Sequence, residues 1–515
     1  VNAMAEVSLL LGDIEAGIKL LERVIGSKND VPRSHFLRGK LLTAQGKHLE
    51  ALAEFQNAVA MDPQHLMSEI ELAGVMSQLP EYQDEAEKKL RLLLLEKKDF
   101  ISKRQKGLIH FYSARIFQQR NESYKVVKEL LAAIENEPQN EVYNEMLAGF
   151  YQEKHEYDKA IEQFNLCLKN DPQALDCYLG LAQVHLELDQ PDQAMFKLDE
   201  ARKFAPTSAR LHFLLGKAME GLKKYDKALP LYEKAISLDR EGVEYYTTTA
   251  MLYLRQNDIQ KAAQFIQDAK RVKDDSPLVY NALGTFNLQQ GDLEAAVEMF
   301  KKALELDPRF QEALYNLADA HLASGQFDAA LEQYRKILEI EERSPRAYYG
   351  LGRTYLMKHD LITAEDYKNK KLEERRELAK KAAAELEKAL NFNKKQAEYH
   401  LQLGRAYFFL ENFSLAAEHL DLARNFSHNN HQAAFWLGRV LFTQQEYLKA
   451  TESMEFALQI EPKNALYHYW LGRIHDAMDR LTEATEEYRQ ALEPVSYTHL
   501  RAHETPEHLV CRLLL

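Results

Sequence analysis

Small and apolar residues recur along the chain at helical spacing, and the small ones keep a longer period as well. Ala160, Ala194, Ala228, Ala262, Ala296, Ala330 and Ala364 stand 34 residues apart. Twelve residues N-terminal to each lies a second small residue: Ala148, Ala182, Gly216, Ala250, Gly284, Ala318 and Gly352. Seven residues beyond the first series come Ala201, Ala235, Ala269 and Ala303, with Cys167 and Ile337 as exceptions. Seven residues are two helical turns, so the first and third series share one face of a helix B. The second series belongs to a preceding helix A. Small side chains at the crossing let two antiparallel helices approach closely, while leucines and aromatics fill the space around them. Turn signals such as Gln290-Gly291-Asp292 separate A from B. Prolines at 138, 172, 206 and 308 stop B before the next A. A single pair cannot bury its apolar face alone, so the pattern predicts pairs stacked into a solenoid.

This pattern resembles the tetratricopeptide repeat family. The unit Pro277 to Arg309 carries it best, with Tyr280, Leu283, Gly284, Gly291, Ala296, Phe300, Ala303 and Pro308 at the signature positions. The resemblance implies an all-α fold, a right-handed superhelical solenoid of antiparallel helix pairs. Units are expected to begin near 32, 66, 107, 141, 175, 209, 243, 277, 311, 345, 397, 431 and 465, after a truncated half-repeat in 1–31. The ladders continue into the last three units as Ala416, Ala450 and Ala484, with Gly404, Gly438 and Gly472 on the A helices. The array is expected over 32–364, with irregular units at 66–140, where Ala86 sits one position late and Val126 replaces alanine. About 18 extra residues enter the unit at 345, because the alanine ladder resumes at 416 rather than 398. Residues 365–388 read as an inserted charged helical extension that lengthens helix B or forms a spur, with Glu377 and Lys381 paired at i,i+4. Residues 389–493 are then the C-terminal units.

In this family the A helices line a concave groove, and helix-A positions 2, 5, 9, 12 and 13 face a ligand. Carried onto the last four units, position 9 is always arginine: Arg353, Arg405, Arg439 and Arg473. Position 5 holds Tyr349, Leu401, Phe435 and Tyr469, and position 12 holds Leu356, Phe408, Phe442 and Asp476. Guanidinium forks pair with carboxylates or phosphates, and aromatics anchor apolar side chains. The resemblance therefore implies a C-terminal groove for an extended or helical peptide carrying acidic groups. The competing reading pairs these arginines with acids of neighbouring units, such as Glu398 and Asp476, where they would only tune stacking. Position 9 has no common theme in the middle units, where it is Gly149, Gln183, Lys217, Met251, Thr285 and Asp319. Two known specificities of the family do not transfer. The lysine, asparagine and arginine set of the chaperone-tail carboxylate clamp is not found, and only Asn316 fits the asparagine ladder of the O-linked sugar transferase groove.

Composition narrows the partners. A formal net charge of −13 argues against nucleic acid or anionic membrane, which need a basic face. No apolar stretch is long enough for a membrane span. The three cysteines, Cys167, Cys177 and Cys511, cannot build a disulfide framework; Cys167 reads as filler of a small-residue slot and Cys177 as unremarkable. At the C-terminus, 494–515 reads as a non-native tail, and Val495 to Leu515 resembles translated sequencing adapter. Removing those 21 residues leaves the charge unchanged, since Arg501 and Arg512 balance Glu504 and Glu507. It also removes a zinc-like cluster of His499, His503, Glu504, His508 and Cys511, to which no function is given. The N-terminal Val1-Asn2-Ala3-Met4 reads as a frame opened inside a helix, so the chain is expected to be a fragment.

No phosphate-binding glycine loop, metal-ligand motif or nucleophile elbow occurs over 1–493, and His428 and His431 read as polar filler of a turn. The expectation is a non-catalytic scaffold or adaptor for protein or peptide partners, without cofactor, metal, nucleic acid or small-molecule substrate. The alternative is the repeat arm of a larger enzyme, since glycosyltransferases, kinases and envelope-polysaccharide machinery use such arms. The resemblance also points to a bacterial setting, with a cytoplasmic location favoured over a periplasmic or envelope-associated one.

Overall fold

Helix A and helix B alternate along the chain because each small-residue ladder sits at a helix crossing. The structure is a computed structural model that describes residues 1–10, 12–26, 31–97, 99–362 and 372–492. Among the described residues there are 28 α-helices, one 3-10 turn and no strand. The chain divides into two compact units, Val1–Asp239 and Arg240–Leu515. Within each, a helix packs most extensively on its own A or B partner and next on a neighbouring pair, except that Leu66–Met76 packs more on the preceding helix B, His48–Met61. The fold is all-α, built from stacked helix pairs.

The A helices begin where the repeat pattern places them, as in Pro32–Ala44, Pro277–Gln289, Ala397–Phe409, His431–Thr443 and Ala465–Ala477. The unit expected at 107 opens four residues earlier, as Lys103–Gln119, because Ser102 and Gln105 close a reciprocal capping box. On the B helices, Ala160, Ala194, Ala228, Ala262, Ala296, Ala330, Ala416 and Ala450 are fully buried, and Ala484 is 3% exposed. Ala160, Ala194, Ala228, Ala262 and Ala330 therefore have no surface to offer a partner. The crossing leaves no room for more. A methyl placed on Gly284 would come within 2.4 Å of the Phe300 ring, and one on Gly404 within 2.6 Å of Leu420.

Two features of the repeat went unread in the sequence. Among the described residues, the residue between A and B is left-handed in every unit with a described A/B turn except the one starting at 66. Glycine fills this position at Gly46, Gly291 and Gly325, but Lys223 (φ 58°), Glu411 (φ 60°) and Gln445 (φ 62°) occupy it elsewhere. At the fourth position of helix A, a ring donor reaches the carbonyl six residues upstream, in the turn from the previous unit. Examples are Tyr178 to Pro172 (3.4 Å), His212 to Pro206 (2.9 Å), Tyr348 to Glu342 (3.1 Å) and His468 to Pro462 (2.9 Å). Each bond serves a carbonyl of the inter-unit turn, beyond the last residue of helix B.

The unit at 345 lengthens helix B, the first of the two expected alternatives, to 21 residues against 14 in Phe413–Phe426, and it lengthens helix A as well. Its A helix, Pro345–Asp360, is three residues longer than the usual 13 of its neighbours, and its B helix is Leu372–Phe392. The carbonyl of Ala382 lies 3.2 Å from a methyl built on Gly352. Ala416 stands in the same relation to Gly404, and Ala450 to Gly438. Ala382 therefore occupies the crossing, one period of 34 before Ala416, and the extra residues fall between Gly352 and that alanine. Ala364, the ladder residue read from the sequence, lies outside the described residues.

Cys167 is more than filler. It stands in the last turn of a helix B, Cys177 stands in the first turn of the next helix A, and the two fully buried sulfurs are joined in a disulfide across the inter-unit turn.

Candidate partner-binding site

Within Arg240–Leu515, successive A helices touch one another: Pro345–Asp360 with Ala397–Phe409, that helix with His431–Thr443, and His431–Thr443 with Ala465–Ala477. Among the described residues, no two successive B helices are in comparable contact. Side chains from neighbouring repeats therefore converge along the A helices.

The four position-9 arginines do not form a uniform file. Arg353 is exposed and lies 3.8 Å from Asp319 of the preceding A helix, a loose pair between half-exposed groups. Arg405 is mostly covered and gives its Nη2 to Asp360 at 2.7 Å and its Nη1 to Gln402 at 2.8 Å. Arg439 is buried, only 7% exposed, among the rings of Phe408 (4.9 Å), Trp436 (4.3 Å) and Trp470 (4.6 Å). Arg473 is half-buried over Trp470 (4.6 Å) and Phe442 (5.2 Å). The result is an alternating stack, Arg405–Trp436–Arg439–Trp470–Arg473, running across three A helices. Each guanidinium lies against an electron-rich ring face, a contact worth about 0.5–2 kcal/mol depending on desolvation.

This geometry corrects several sequence expectations. Arg439 cannot offer its fork to a ligand in this arrangement, because rings from three repeats cover it. Phe435 (5% exposed) and Tyr469 (8%) are core residues; Phe435 stacks on Tyr467 and Tyr469 packs near Tyr488. Leu356 and Leu401, each 1% exposed, also belong to the core. Phe408 and Phe442 are half-buried edge partners of Trp436 (5.5 Å) and Trp470 (5.8 Å), respectively. The competing reading, pairing with acids of neighbouring units, holds for Arg353 and Arg405, but through Asp319 and Asp360 rather than the acids named as examples. Glu398 accepts from Tyr349 (3.2 Å) and Gln402 (2.7 Å), and no ion pair joins Asp476 to a position-9 arginine among the described residues. The tryptophans were missed, although a signal was present. They are the chain's only two, 34 apart, and each stands three residues before an arginine on the same helix face.

Asp360 lies at the end of the lengthened A helix and joins a second network. Its Oδ1 meets His359 Nδ1 at 2.9 Å, and Arg375 Nε donates to His359 Nε2 at 3.2 Å. If Nε2 accepts, Nδ1 carries the proton and donates to Asp360, so the ring is neutral. Burial pushes the His359 imidazole below its ordinary value, opposed by the Asp360 bond and assisted by the charge on Arg375. Hydrogen bonds thus run from Arg375 on the long B helix through His359, Asp360, Arg405, Gln402 and Glu398 to Tyr349. Burial, with the Glu398 carboxylate next, pushes the Tyr349 hydroxyl well up, and its ring stacks on Tyr399 at 4.8 Å.

A cavity of about 450 Å³ lies elsewhere, among Phe413–Phe426, His431–Thr443 and Tyr447–Ile460. Its walls include Glu418, Asp421, Arg424, Lys449 and Phe456 and none of the position-9 arginines. Among the described residues no group of three or more His, Cys, Asp or Glu could hold a metal ion, and no helix is long and apolar enough to cross a membrane. His431 bonds Tyr467 at 2.7 Å. The tail cluster from His499 to Cys511 lies outside the described residues.

Sequence comparison agrees with this architecture. Two family models described as tetratricopeptide repeat match residues 221–284 and 287–348, and 3–65, 401–455 and 437–497. The chain belongs to the tetratricopeptide repeat family. Within it, residues 153–235 also match the model for subunit 3 of the anaphase-promoting complex, or cyclosome. Anaphase-promoting complex subunit 3 of Schizosaccharomyces pombe is 28% identical over 109 residues, 21% of this chain and 16% of that protein. The similarity thus spans about a sixth of that relative's length. A chain in the crystal structure of the APC/C hetero-tetramer Cut9-Hcn1 superposes with a TM-score of 0.68 at 13% identity, covering 99% of this chain and 95% of that one. That likeness shows the tetratricopeptide repeat solenoid fold.

Proposed function

We propose that this tetratricopeptide repeat protein is a non-catalytic scaffold that holds protein partners along its A helices. Its C-terminal units take an extended acidic segment, and the chain serves as a subunit of a multi-protein assembly, as the names of its relatives suggest. The observation that carries the reading is the arginine–tryptophan stack, which concentrates guanidinium groups on one row of helices in a chain of formal charge −13. Aromatic anchors supply affinity in such a surface and charge supplies selectivity.

The test is fluorescence anisotropy with labelled extended peptides of acidic, neutral and basic sequence. Acidic peptides should bind best, and Arg353→Glu with Arg473→Glu should weaken them at least tenfold with an unchanged melting midpoint. Equal binding of all three classes would overturn the acidic-segment reading. Arg439→Glu is unsuitable here, because its buried position makes loss of binding inseparable from loss of structure.

A further inference from the structure

The arginines differ in what they already hold, and that difference locates the contact. Asp360 occupies Arg405, Arg353 shares Asp319, and Arg439 is enclosed by rings. Arg473 meets Trp470 and Phe442 and no carboxylate among the described residues. On the ring that Arg473 covers, the indole Nε1 of Trp470 is buried and has no hydrogen-bond acceptor among the described residues, in a residue only 6% exposed. The Nε of Arg405, further along the same stack, is likewise buried without an acceptor. Indole N–H and guanidinium are donor-only groups, and buried donors in folded proteins are normally satisfied.

We infer that Trp470 and Arg473 form the acid-recognising step of the groove, receiving one side-chain carboxylate of an extended acidic segment from a partner protein. This rests on the proposed function and deepens it, because it assigns the anion to one repeat rather than to the arginine file. Arg473 supplies the planar fork, Trp470 supports it and adds the indole N–H, and the Phe442 ring, itself edge-on to Trp470, lies beside the guanidinium at 5.2 Å. Arg439 is a positioning residue here: its guanidinium lies against Trp470 at the same 4.6 Å as that of Arg473, so two cations contact the one ring. The chain's overall negative charge repels an acidic segment at long range, so selectivity has to come from short, partly desolvated contacts of this kind.

The experiment is calorimetric titration of the full chain with a blocked hexaglutamate peptide, with blocked hexaglutamine and inorganic phosphate as controls at matched ionic strength. Hexaglutamate should bind, with hexaglutamine and phosphate at least tenfold weaker. Arg473→Gln should reduce hexaglutamate affinity at least tenfold. Arg473→Lys, which keeps the cation and removes the fork, should also reduce it. Trp470→Phe, which keeps a ring and removes the N–H, should cost at least threefold. Arg353→Gln should stay within threefold of the native chain, and the melting midpoints of the Arg473 variants should be unchanged. If hexaglutamate binds, and Arg473→Gln leaves it intact while Arg353→Gln abolishes it, this assignment is overturned and the acidic groove survives. If hexaglutamate does not bind at all, both fall. Equal binding of phosphate would replace the peptide carboxylate with a free anion and overturn the assignment too.

Discussion

The unit at 277 and the unit at 431 share one crossing and differ in what stands on it. In both, helix B brings a buried large apolar residue against a helix-A glycine, Phe300 against Gly284 and Met454 against Gly438, and in both a fully buried alanine, Ala296 or Ala450, stands four residues before it on helix B. On the next turns of helix A the two diverge. Positions 6 and 9 hold Ala282 and Thr285 in one, and Trp436 and Arg439 in the other. The repeat fixes the backbone through a few small residues, which leaves the remaining helix-A positions free to carry chemistry. The difference also shows that position alone does not make a groove residue, since Thr285 is half-buried and Arg439 enclosed.

The largest expected effect tests the shared part. Phe300→Ala should cost about 3–5 kcal/mol and Met454→Ala about 2–5 kcal/mol in denaturant unfolding, through lost burial and the cavity left behind. If only one of the two destabilised the chain, the crossings would not be equivalent. A smaller contrast concerns position 9. Arg439→Glu should destabilise by about 3–5 kcal/mol, as an uncompensated charge among rings does, whereas Thr285→Glu should fall within about 0.5 kcal/mol of the native chain. Similar melting shifts for both would place Arg439 at the surface after all. The smallest effect concerns the turn. Gln445→Gly should stabilise the unit at 431 by about 0.5–1 kcal/mol, because the left-handed backbone there strains any side chain. The unit at 277 already has Gly291, and Gly291→Gln should cost a comparable amount.

The sequence made the repeat legible because each unit states the same rule again. Spacing alone sets Ala160, Ala194, Ala228, Ala262 and Ala330 on one face of their helices, and all five are fully buried. Helix-A starts follow from the same spacing, and the one that moved, Lys103, did so through a local cap. The candidate site was legible only in outline. Arg439 sits in its own repeat at a position that faces the ligand elsewhere in the family, and only the rings of Phe408 and Trp470, one repeat away on either side, enclose it. Asp360 reaches Arg405 across 45 residues, a pairing that no local pattern encodes. The Cys167–Cys177 link was hidden by treating each cysteine as an occupant of its own helix rather than asking what faced it across the turn. The tryptophans, by contrast, could have been found from spacing.

The fourth-position bonds give the array a direction. Each of these side chains reaches back to a carbonyl of the turn before its own helix, as His468 does to Pro462 and His400 to Lys394. Trimming the chain from its two ends is therefore unequal. Removing a repeat from the C-terminal end exposes a carbonyl that water can readily serve. Removing one from the N-terminal end takes away the acceptor and strands a ring donor on the helix that remains, so truncation series built from opposite ends should lose cooperativity at different rates.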